Sequence, residues 1–351
     1  MKRKTIFISL VVVGLFALGR TLVRLPAAEP AKVIDPPNES EVELTLVEKG
    51  TTYKLYHAGL YRVNSGSGKW EFMEQLYDPD FYAKNYVERG GVIYRKSATG
   101  ELVQVKRSFS DDFENAKTLR DLIGLERGWT SCTLQSPKTP SVRDYVLLRK
   151  RILNGQSDFL DNRVEPTTEV VHSGQGALKT YSVARAGEMV CTKASLDTEI
   201  LHFVKGDDVW FSGWYYVPEG SGMPSTLMDL ETTWFKEYPG IRIMMYGDKY
   251  AGFELKWGGK PKYRQPKGKE IALPMGKWVH LKAHLKLSER EDGIIELWQD
   301  GTKIVHARGQ TLPLAHTILN SLEVGISAYS TGPKPATLYV DDISISDQPI
   351  D

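Results

Sequence analysis

Two carboxylates stand two residues apart in the stretch LMDLE, as Asp229 and Glu231. On a β-strand both side chains project from the same face, about 6 to 7 Å apart. A pair at that separation can act as general acid and general base, or can hold a cation. We expect Glu231 to line a groove and to contact substrate there together with Trp234, Arg242, Glu254 and Lys256. The alternative is a solvated polar face.

A basic loop follows at residues 256–267, with the sequence KWGGKPKYRQPK. It concentrates five cations in a chain whose 45 Lys and Arg nearly balance its 44 Asp and Glu. The planar guanidinium of Arg264 can hold a carboxylate through two parallel hydrogen bonds, which a lysine cannot do. We therefore predict that Lys256, Arg264 and Gln265 contact an anionic glycan, and the alternative is a solvated hairpin.

His280 and His284 are separated by an even number of residues in an apparent strand, so they share a face. Such a pair can supply a base or two metal ligands, because imidazole titrates near neutral pH. The sequence offers no obvious third ligand, so a structural role for both histidines is the alternative.

The elements that must position these residues are mostly strands. Apolar and polar residues alternate between polar turns at 177–183, 208–217, 241–246, 251–257, 278–287, 294–299, 322–328 and 337–345. Helices are predicted only around 114–125 and 141–153, where Ser141 can cap the second helix with Asp144 at its third position. The fold class is therefore all-β, as a sandwich or barrel.

The amino terminus has the composition of an export signal. Met1 to Lys4 is basic, and residues 5–19 are apolar up to Arg20. We predict a signal peptide or membrane anchor at 1–28, a linker at 29–45, a small β-rich accessory module at 46–107 and a larger β domain at 108–351. The chain beyond the signal is expected in an extracytoplasmic space, where Cys132 and Cys191 would pair as a disulfide; two buried free thiols are the alternative.

Composition excludes several classes of function. A net charge of +1 creates no global field for nucleic acid, and a membrane contact is expected only through the possible anchor. Two cysteines cannot build a disulfide framework or, unaided, a zinc cluster. No Walker loop, dinucleotide fingerprint, Gly-x-Ser-x-Gly elbow or His-Glu-x-x-His motif occurs.

Residues 108–347 resemble lectin-like jelly rolls of the concanavalin and laminin-G type. The segment Phe109-Ser110-Asp111-Asp112-Phe113 is similar to their opening strand, and Gly276-Lys277-Trp278 with Ile295-Glu296-Leu297-Trp298 is similar to a strand pair of polysaccharide lyases of the heparinase I and alginate lyase type. The ending Tyr339-Val340-Asp341-Asp342-Ile343 is similar both to those lyases and to carbohydrate-binding modules. The resemblance implies a jelly-roll sandwich that binds polysaccharide on its concave sheet.

The resemblance also implies roles for particular residues. A lyase acting on uronic acid needs a proton acceptor and a proton donor, for which Tyr263, His280 and Tyr329 are the candidates. The first and last strands adjoin in related folds, and there Asp112 and Asp342 would bind a structural calcium ion.

Three departures from the related enzymes are visible. Leu227 occupies the position of the nucleophile in laminarinase-type glycosidases, and a leucine cannot attack a sugar. Glu323 and Ser327 stand where the lyases carry lysine and tyrosine, and Tyr329 can substitute only if the strand bulges. The sequence therefore predicts an exported polysaccharide-binding protein and leaves open whether it cleaves an acidic glycan by β-elimination. The alternatives to a lyase are non-catalytic carbohydrate binding, adhesion and a structural envelope role.

Overall fold

A computed structural model describes residues 33–48, 50–97, 100–124, 127–236, 238–257 and 262–350. The proposed signal or anchor at 1–28 lies outside these residues, as does the middle of the basic loop with Lys260. Within the described part, no helix is long and apolar enough to cross a membrane.

The described chain is built mainly of short antiparallel strands. The strands are β1 (Val33–Ile34), β2 (Leu44–Glu48), β3 (Thr51–Tyr56), β4 (Gly59–Val63), β5 (Trp70–Gln75), β6 (Tyr86–Arg89), β7 (Val92–Lys96), β8 (Leu102–Gln104), β9 (Ser108–Asp111), β10 (Ser131–Thr133), β11 (Arg163–Thr167), β12 (Ala177–Ser182), β13 (Thr192–Thr198), β14 (Asp208–Tyr216), β15 (Thr226–Glu231), β16 (Gly240–Tyr246), β17 (Tyr250–Leu255), β18 (Lys262–Tyr263), β19 (Trp278–Lys286), β20 (Gly293–Gln299), β21 (Thr302–Gly309), β22 (Ser321–Tyr329) and β23 (Ala336–Ser346). The α-helices are α1 (Phe81–Asn85), α2 (Leu119–Leu122) and α3 (Val142–Leu153), and Glu39–Glu41 forms a 3-10 turn.

Two large sheets form a sandwich. The first has the strand order β10-β13-β22-β15-β16-β17-β18, and the second has the order β11-β12-β23-β14-β19-β20-β21, with β9 also paired to β23. The chain crosses repeatedly between the two sheets, for example from β12 to β13, from β13 to β14 and from β21 to β22, which is typical of a jelly roll. The predicted all-β jelly-roll class is confirmed.

The core lies between the two sheets because each strand turns alternate residues inward. On the first sheet the inward residues include Met228, Leu230 and Val324, and on the second they include Phe211 and Leu281; all are at most 2% exposed. Burying a side chain of this size stabilises the fold by about 1.5 to 3 kcal/mol. The opposite residues of every strand are therefore free to build two outer faces.

Most of the predicted elements are present. Each of the eight alternating stretches forms a strand, and helix α3 begins after Ser141, whose hydroxyl and backbone make a capping box with Asp144. Strands β11, β13 and β21 were not anticipated. Asp300 and Gly301 have φ angles of 48° and 77°, as the two central residues of the hairpin turn between β20 and β21.

The amino-terminal part forms two smaller sheets. Strands β1 to β5 make a five-stranded sheet in the order β1-β5-β4-β3-β2, and β6 to β8 make a separate three-stranded sheet. Val33 and Ile34, which the sequence places in a linker, pair with Glu71 and Trp70 of β5. These two residues of the predicted linker are therefore part of this sheet.

The predicted disulfide is absent, because Cys132 and Cys191 are both free. Cys132 lies on β10 opposite Leu196 of β13, whereas Cys191 directly precedes the start of β13. Five residues of extended chain separate Cys191 from Leu196, roughly 16 Å. A disulfide requires Cα atoms less than about 7 Å apart, so the prediction is wrong for this fold.

Candidate functional site

A row of polar side chains crosses the first sheet on the face turned away from the core. Each residue lies opposite the next on a neighbouring strand, in the order Ser131, Asp197, Glu323, Asp229, Arg242, Glu254 and Lys262. We call this outer surface the charged face. Directly opposed side chains lie about 4.5 to 5.5 Å apart at Cβ, so neighbouring members of the row interact.

Strand alternation explains why the acids of β15 belong to this face. Met228 and Leu230 point into the core, so Asp229 and Glu231 point outward. The prediction that these two carboxylates share a face is confirmed. Leu227, by contrast, packs in the core next to a register shift in β15.

Two lysines bind the carboxylates at the centre of the charged face. Lys256 Nζ lies 3.3 Å from Asp229 Oδ2 and also contacts Glu231 Oε1. Lys193 Nζ lies 3.3 and 3.2 Å from the two carboxylate oxygens of Glu323. We call these three acids and two lysines the central cluster; when every member is ionised it carries one net negative charge.

The surroundings shift the pKa values of the acids in opposite directions. Burial, assisted by the neighbouring charge of Asp229, raises the pKa of Glu231 to about 8, and Lys256 offsets this only in part. Burial would also raise the pKa of Glu323, but the charge of Lys193 and the hydroxyls of Ser327 and Ser195 outweigh it and lower that pKa. The raised pKa favours the protonated form of Glu231 and the lowered pKa favours the ionised form of Glu323, which is the arrangement that provides a proton donor.

The central cluster is also the one group of three possible metal ligands among the described residues. One oxygen from each of Asp229, Glu231 and Glu323 lies within 4.8 Å of the others, and Asp229 Oδ1 is buried without a hydrogen-bond partner. The separation of these three carboxylate oxygens is suitable for binding a metal ion. However, Lys193 and Lys256 already neutralise these oxygens, so a cation would have to displace an ammonium group.

A cavity of about 500 Å³ opens above the cluster. Its lining comprises Lys193, Glu231, Thr233, Trp234, Phe235, Lys236, Tyr238 and Lys256. Tyr238 is 54% exposed and has a φ angle of 44°, a left-handed conformation that is unfavourable for a tyrosine. Aromatic walls with a few converging charged groups are typical of ligand cavities.

The structure brings four of the predicted contact residues together. Glu231, Trp234 and Lys256 line the cavity, and Arg242 lies beside it in the polar row, bound to Glu254. The indole Nε1 of Trp234 donates to the carbonyl of Asp78, 2.7 Å away, so only the ring can contact a ligand.

The basic loop divides between two faces. Arg264 is exposed at the β18 edge of the charged face, where its guanidinium lies 4.6 Å from the ring centre of Tyr246. Tyr263 pairs with Phe253 and packs against the core, because its neighbour Lys262 takes the outward position. The proton-transfer role predicted for Tyr263 does not fit this inward orientation.

Gln265 is also turned away from the cavity. It is 7% exposed, and its amide donates to the carbonyls of Ala251 and Ile271 and accepts from the backbone N–H of Ile271. All of its contacts hold the loop together, so the substrate contact predicted for Gln265 is wrong for this conformation.

His280 lies on the outer face of the second sheet, on the opposite side of the sandwich from the cavity. Its Nε2 is 2.7 Å from Ser212 Oγ, and its ring stacks on Trp214 with 4.9 Å between centres. His284 is on the same face, between Asp208 and Glu296. The histidines share a face as predicted, but His280 cannot transfer a proton in the cavity.

Tyr329 is excluded by burial. The pairing of β13 with β22 shifts register before Tyr329, which is the bulge that the sequence argument required. The side chain nevertheless packs in the core at 1% exposure, and its hydroxyl donates to the carbonyl of Lys334. The proposed catalytic role of Tyr329 is therefore wrong.

Asp112 and Asp342 line a second cavity of about 650 Å³ at the junction of the first and last strands of the sandwich. Asp342 accepts hydrogen bonds from His172 Nδ1 and Ser173 Oγ, at 2.8 and 3.0 Å. Asp112 accepts from the backbone N–H of Glu114. The structure therefore places both predicted calcium ligands in one cavity.

Sequence reasoning missed two residues of the site. Lys193 lies on the unanticipated strand β13, and only the pairing of β13 with β22 brings it to Glu323. Tyr238 follows Trp234 and Phe235 in a short aromatic segment, and that segment was the available signal. Glu323, interpreted as a departure from the related lyases, is a central member of the cluster.

Comparison with known proteins identifies a family. A sequence model described as polysaccharide lyase matches residues 149–344, which is more than half of the chain and includes the central cluster. Solved structures with similarity include an endo-beta-1,4-glucuronan lyase from the fungus Trichoderma reesei, at 13% identity and a TM-score of 0.48, covering 69% of this chain and 95% of that one. The cellulose induced protein Cip1 has 20% identity and a TM-score of 0.45 over 69% and 98%, and the alginate lyase Aly36B has 10% and 0.42 over 70% and 99%. No curated protein sequence matches the chain.

Proposed function

The chain belongs to the polysaccharide lyase family, and we propose that it cleaves an acidic, uronic-acid polysaccharide by β-elimination in the cavity above the central cluster. The observation that carries this proposal is a cavity with an aromatic wall in which the acid Glu231 lies among the cationic side chains of Lys193, Lys236 and Lys256. Elimination needs a neutralised uronate carboxylate, removal of the proton at carbon 5 and protonation of the leaving oxygen.

Lysines supply the first requirement. Lys193, Lys236 and Lys256 all line the cavity. While Glu231 is protonated, the central cluster contains two carboxylates and two ammonium groups and is neutral. A uronate entering the cavity then meets cations without the repulsion of a third ionised acid.

Glu231 and Tyr238 are proposed for the two proton transfers. Glu231 donates its proton to the oxygen of the leaving sugar, since its raised pKa keeps it in the acid form at neutral pH. Tyr238 accepts the proton from carbon 5 as a phenolate, formed by release of its hydroxyl proton to solvent, because its side chain lines the same cavity and is open to solvent. The Glu231 carboxylate left after donation regains its proton from solvent. Its unfavourable backbone conformation is of the kind found at functional sites.

Non-catalytic glycan binding is the second candidate function. It is favoured by the ion pairing of Glu323 with Lys193 and by Ser327, which donates a 2.6 Å hydrogen bond to Glu323 where the related lyases carry tyrosine. Such a cluster can bind a sugar chain without cleaving it.

A lyase assay separates the two functions. The purified protein is incubated with a panel of uronic-acid polysaccharides, with neutral glucans as matched controls, and the ultraviolet absorbance of the unsaturated product is followed. We expect absorbance to rise with at least one polyuronate and with no glucan. Retention of a polyuronate on an affinity column without any rise in absorbance would leave binding as the function.

We also propose that the protein acts in an extracytoplasmic space. The support is the basic Met1 to Lys4 segment followed by the apolar residues 5–19. Fractionation of the producing cells, with amino-terminal sequencing of the mature protein, tests export and distinguishes a cleaved signal from an anchor. Recovery in the cytoplasm with Met1 retained would refute the proposal.

We further propose a structural calcium ion bound by Asp112 and Asp342. The support is the meeting of these two carboxylates in one cavity between the first and last strands. We expect calcium to raise the melting temperature and Asp112→Asn to abolish that rise. Equal melting temperatures with calcium and with a chelator would rule the site out.

A further inference from the structure

We propose that the segment Glu74–Tyr86 of the amino-terminal part positions the wall of the substrate cavity and so determines how a sugar is held beside Glu231. This inference rests on the proposed function only for the identity of the ligand. The wall is the loop that follows β15, of which Thr233, Trp234, Phe235, Lys236 and Tyr238 line the cavity.

Backbone contacts join the segment to the wall. Tyr77 pairs with Phe235 in an antiparallel bridge, and the backbone N–H of Lys236 donates to the carbonyl of Leu76 at 2.7 Å. The amino-terminal part is therefore joined to the wall by one antiparallel bridge and one further backbone hydrogen bond. A loop without these bonds would have to satisfy the same polar groups with water.

Aromatic contacts fix the side chain of Trp234. Its ring stacks on Phe81 with centres 5.6 Å apart and planes 16° apart, and its Nε1 donates to the carbonyl of Asp78. Tyr77 contacts the same ring edge-on at 5.9 Å. The orientation of Trp234 in the cavity wall is thus set by three residues that are not among the described lining of the cavity.

A buried asparagine carries the connection to the catalytic acid. Asn320 Nδ2 donates to Tyr86 Oη at 3.1 Å and to Thr233 Oγ1 at 2.8 Å. The same residue donates its backbone N–H to the carbonyl of Glu231 at 2.9 Å. Asn320 is fully buried, so a shift of Tyr86 would be transmitted to the backbone on which Glu231 stands.

The segment also orients a cation of the cavity. Lys236 forms an ion pair with Glu74 of β5. Glu74 is therefore a positioning residue for an ammonium group that can contact a uronate, although it does not line the cavity itself.

These contacts assign the amino-terminal part a role different from that of a separate accessory module. The segment does not line the cavity; it holds Trp234 and Lys236 in place. Because the binding groups are already ordered before the ligand arrives, they lose little conformational entropy on binding.

Hydrogen exchange and kinetics together test the proposal. Phe81→Ala removes the stack on Trp234, and Glu74→Gln removes the ion pair with Lys236. Glu71→Gln is the matched control, because Glu71 forms its ion pair with Arg62 inside the amino-terminal sheet. Amide exchange of the peptide covering residues 231–239 is measured for each protein, with KM and kcat on the polyuronate that the wild-type protein cleaves.

We expect Phe81→Ala to speed exchange at residues 232–238 and to raise KM several-fold to about tenfold, with a smaller change in kcat. Phe81→Tyr keeps the stacked ring and should restore both values. Glu74→Gln should raise KM with little change in exchange, and Glu71→Gln should change neither.

Unchanged exchange in Phe81→Ala would overturn the proposal, as would equal KM effects of Glu74→Gln and Glu71→Gln. If no polyuronate is cleaved at all, the proposed function fails, but the exchange measurement still decides whether the segment holds the wall. The dissociation constant of a retained polyuronate is then measured in place of KM. Each variant is expected to change it by the factor given above for KM.

Discussion

Replacing Glu231 by glutamine is the most direct test of the proposed acid. With a pKa of about 8, roughly nine in ten molecules carry a protonated Glu231 at pH 7. Glutamine matches that protonated form in shape and charge but has no proton to donate. Glu231→Gln should therefore bind a polyuronate at pH 7 as the wild type does, within a factor of about two.

Turnover should respond very differently. Positioned general acids contribute about 10²- to 10⁴-fold, which is roughly 3 to 5 kcal/mol of activation free energy. We expect kcat to fall by that factor with little change in affinity. The assay is product absorbance on the polyuronate that the wild type cleaves, with calorimetric titration of an oligouronide too short to be cleaved.

The pH dependence of polyuronate affinity provides a second test, because the direction of the change can be predicted. Above pH 8 the wild-type Glu231 ionises, the central cluster gains a negative charge, and a bound uronate is repelled. Two like charges about 5 Å apart repel by roughly 3 kcal/mol at an effective dielectric constant near 20. Wild-type affinity should thus fall by up to about a hundredfold from pH 7 to pH 9, whereas Glu231→Gln should bind more tightly than the wild type at pH 9.

Two results would refute this reasoning. One is a turnover number in Glu231→Gln within threefold of the wild type. The other is a wild-type affinity that does not change between pH 7 and pH 9 while the protein stays folded. The wild type and Glu231→Gln can both still show a change in affinity near pH 7, because burial and the charge of Glu323 raise the pKa of Asp197 to about 7.

Three further predictions follow from the same geometry. Tyr238→Phe should lower kcat at least a hundredfold, whereas Tyr329→Phe, at a tyrosine buried in the core, should leave kcat unchanged; the reverse order would contradict the placement of both residues. Lys193→Met should lower the free energy of unfolding by about 3 kcal/mol, since it leaves the buried Glu323 without its cation, and adding Glu323→Gln should recover much of that loss in a denaturant titration. Thiol titration of the unfolded, unreduced protein should find two free cysteines, and finding none would restore the disulfide.

Strands and helices could be predicted from the sequence wherever the apolar residues repeat with one regular period. Strands β14 and β19 alternate inward and outward residues over nine positions, and helix α3 begins at a capping box. Strands β11 and β21 mix lysine, arginine, glutamate and proline with few apolar residues. They lie near the margins of the second sheet, where partial burial weakens the alternation on which such predictions depend.

The sequence could predict only those features of the site that depend on one strand alone. Alternation places Asp229 and Glu231 on one face whatever the rest of the fold does. Whether His280 shares that face depends on the sheet to which β19 belongs, and Lys193 meets Glu323 only through the register of two strands more than a hundred residues apart. Topology and register are tertiary properties, and a single sequence does not reveal them.

The polar row across the first sheet also restricts how this protein can diverge during evolution. Arg242 lies between Asp229 and Glu254, and Glu254 lies between Arg242 and Lys262. Loss of one member of a buried ion pair leaves the other charge buried and unpaired, which destabilises the fold. Replacement of both members together is far better tolerated. Natural variants should therefore change positions 229, 242 and 254 together, and a collection of homologous genes should show correlated substitution along this line of the sheet.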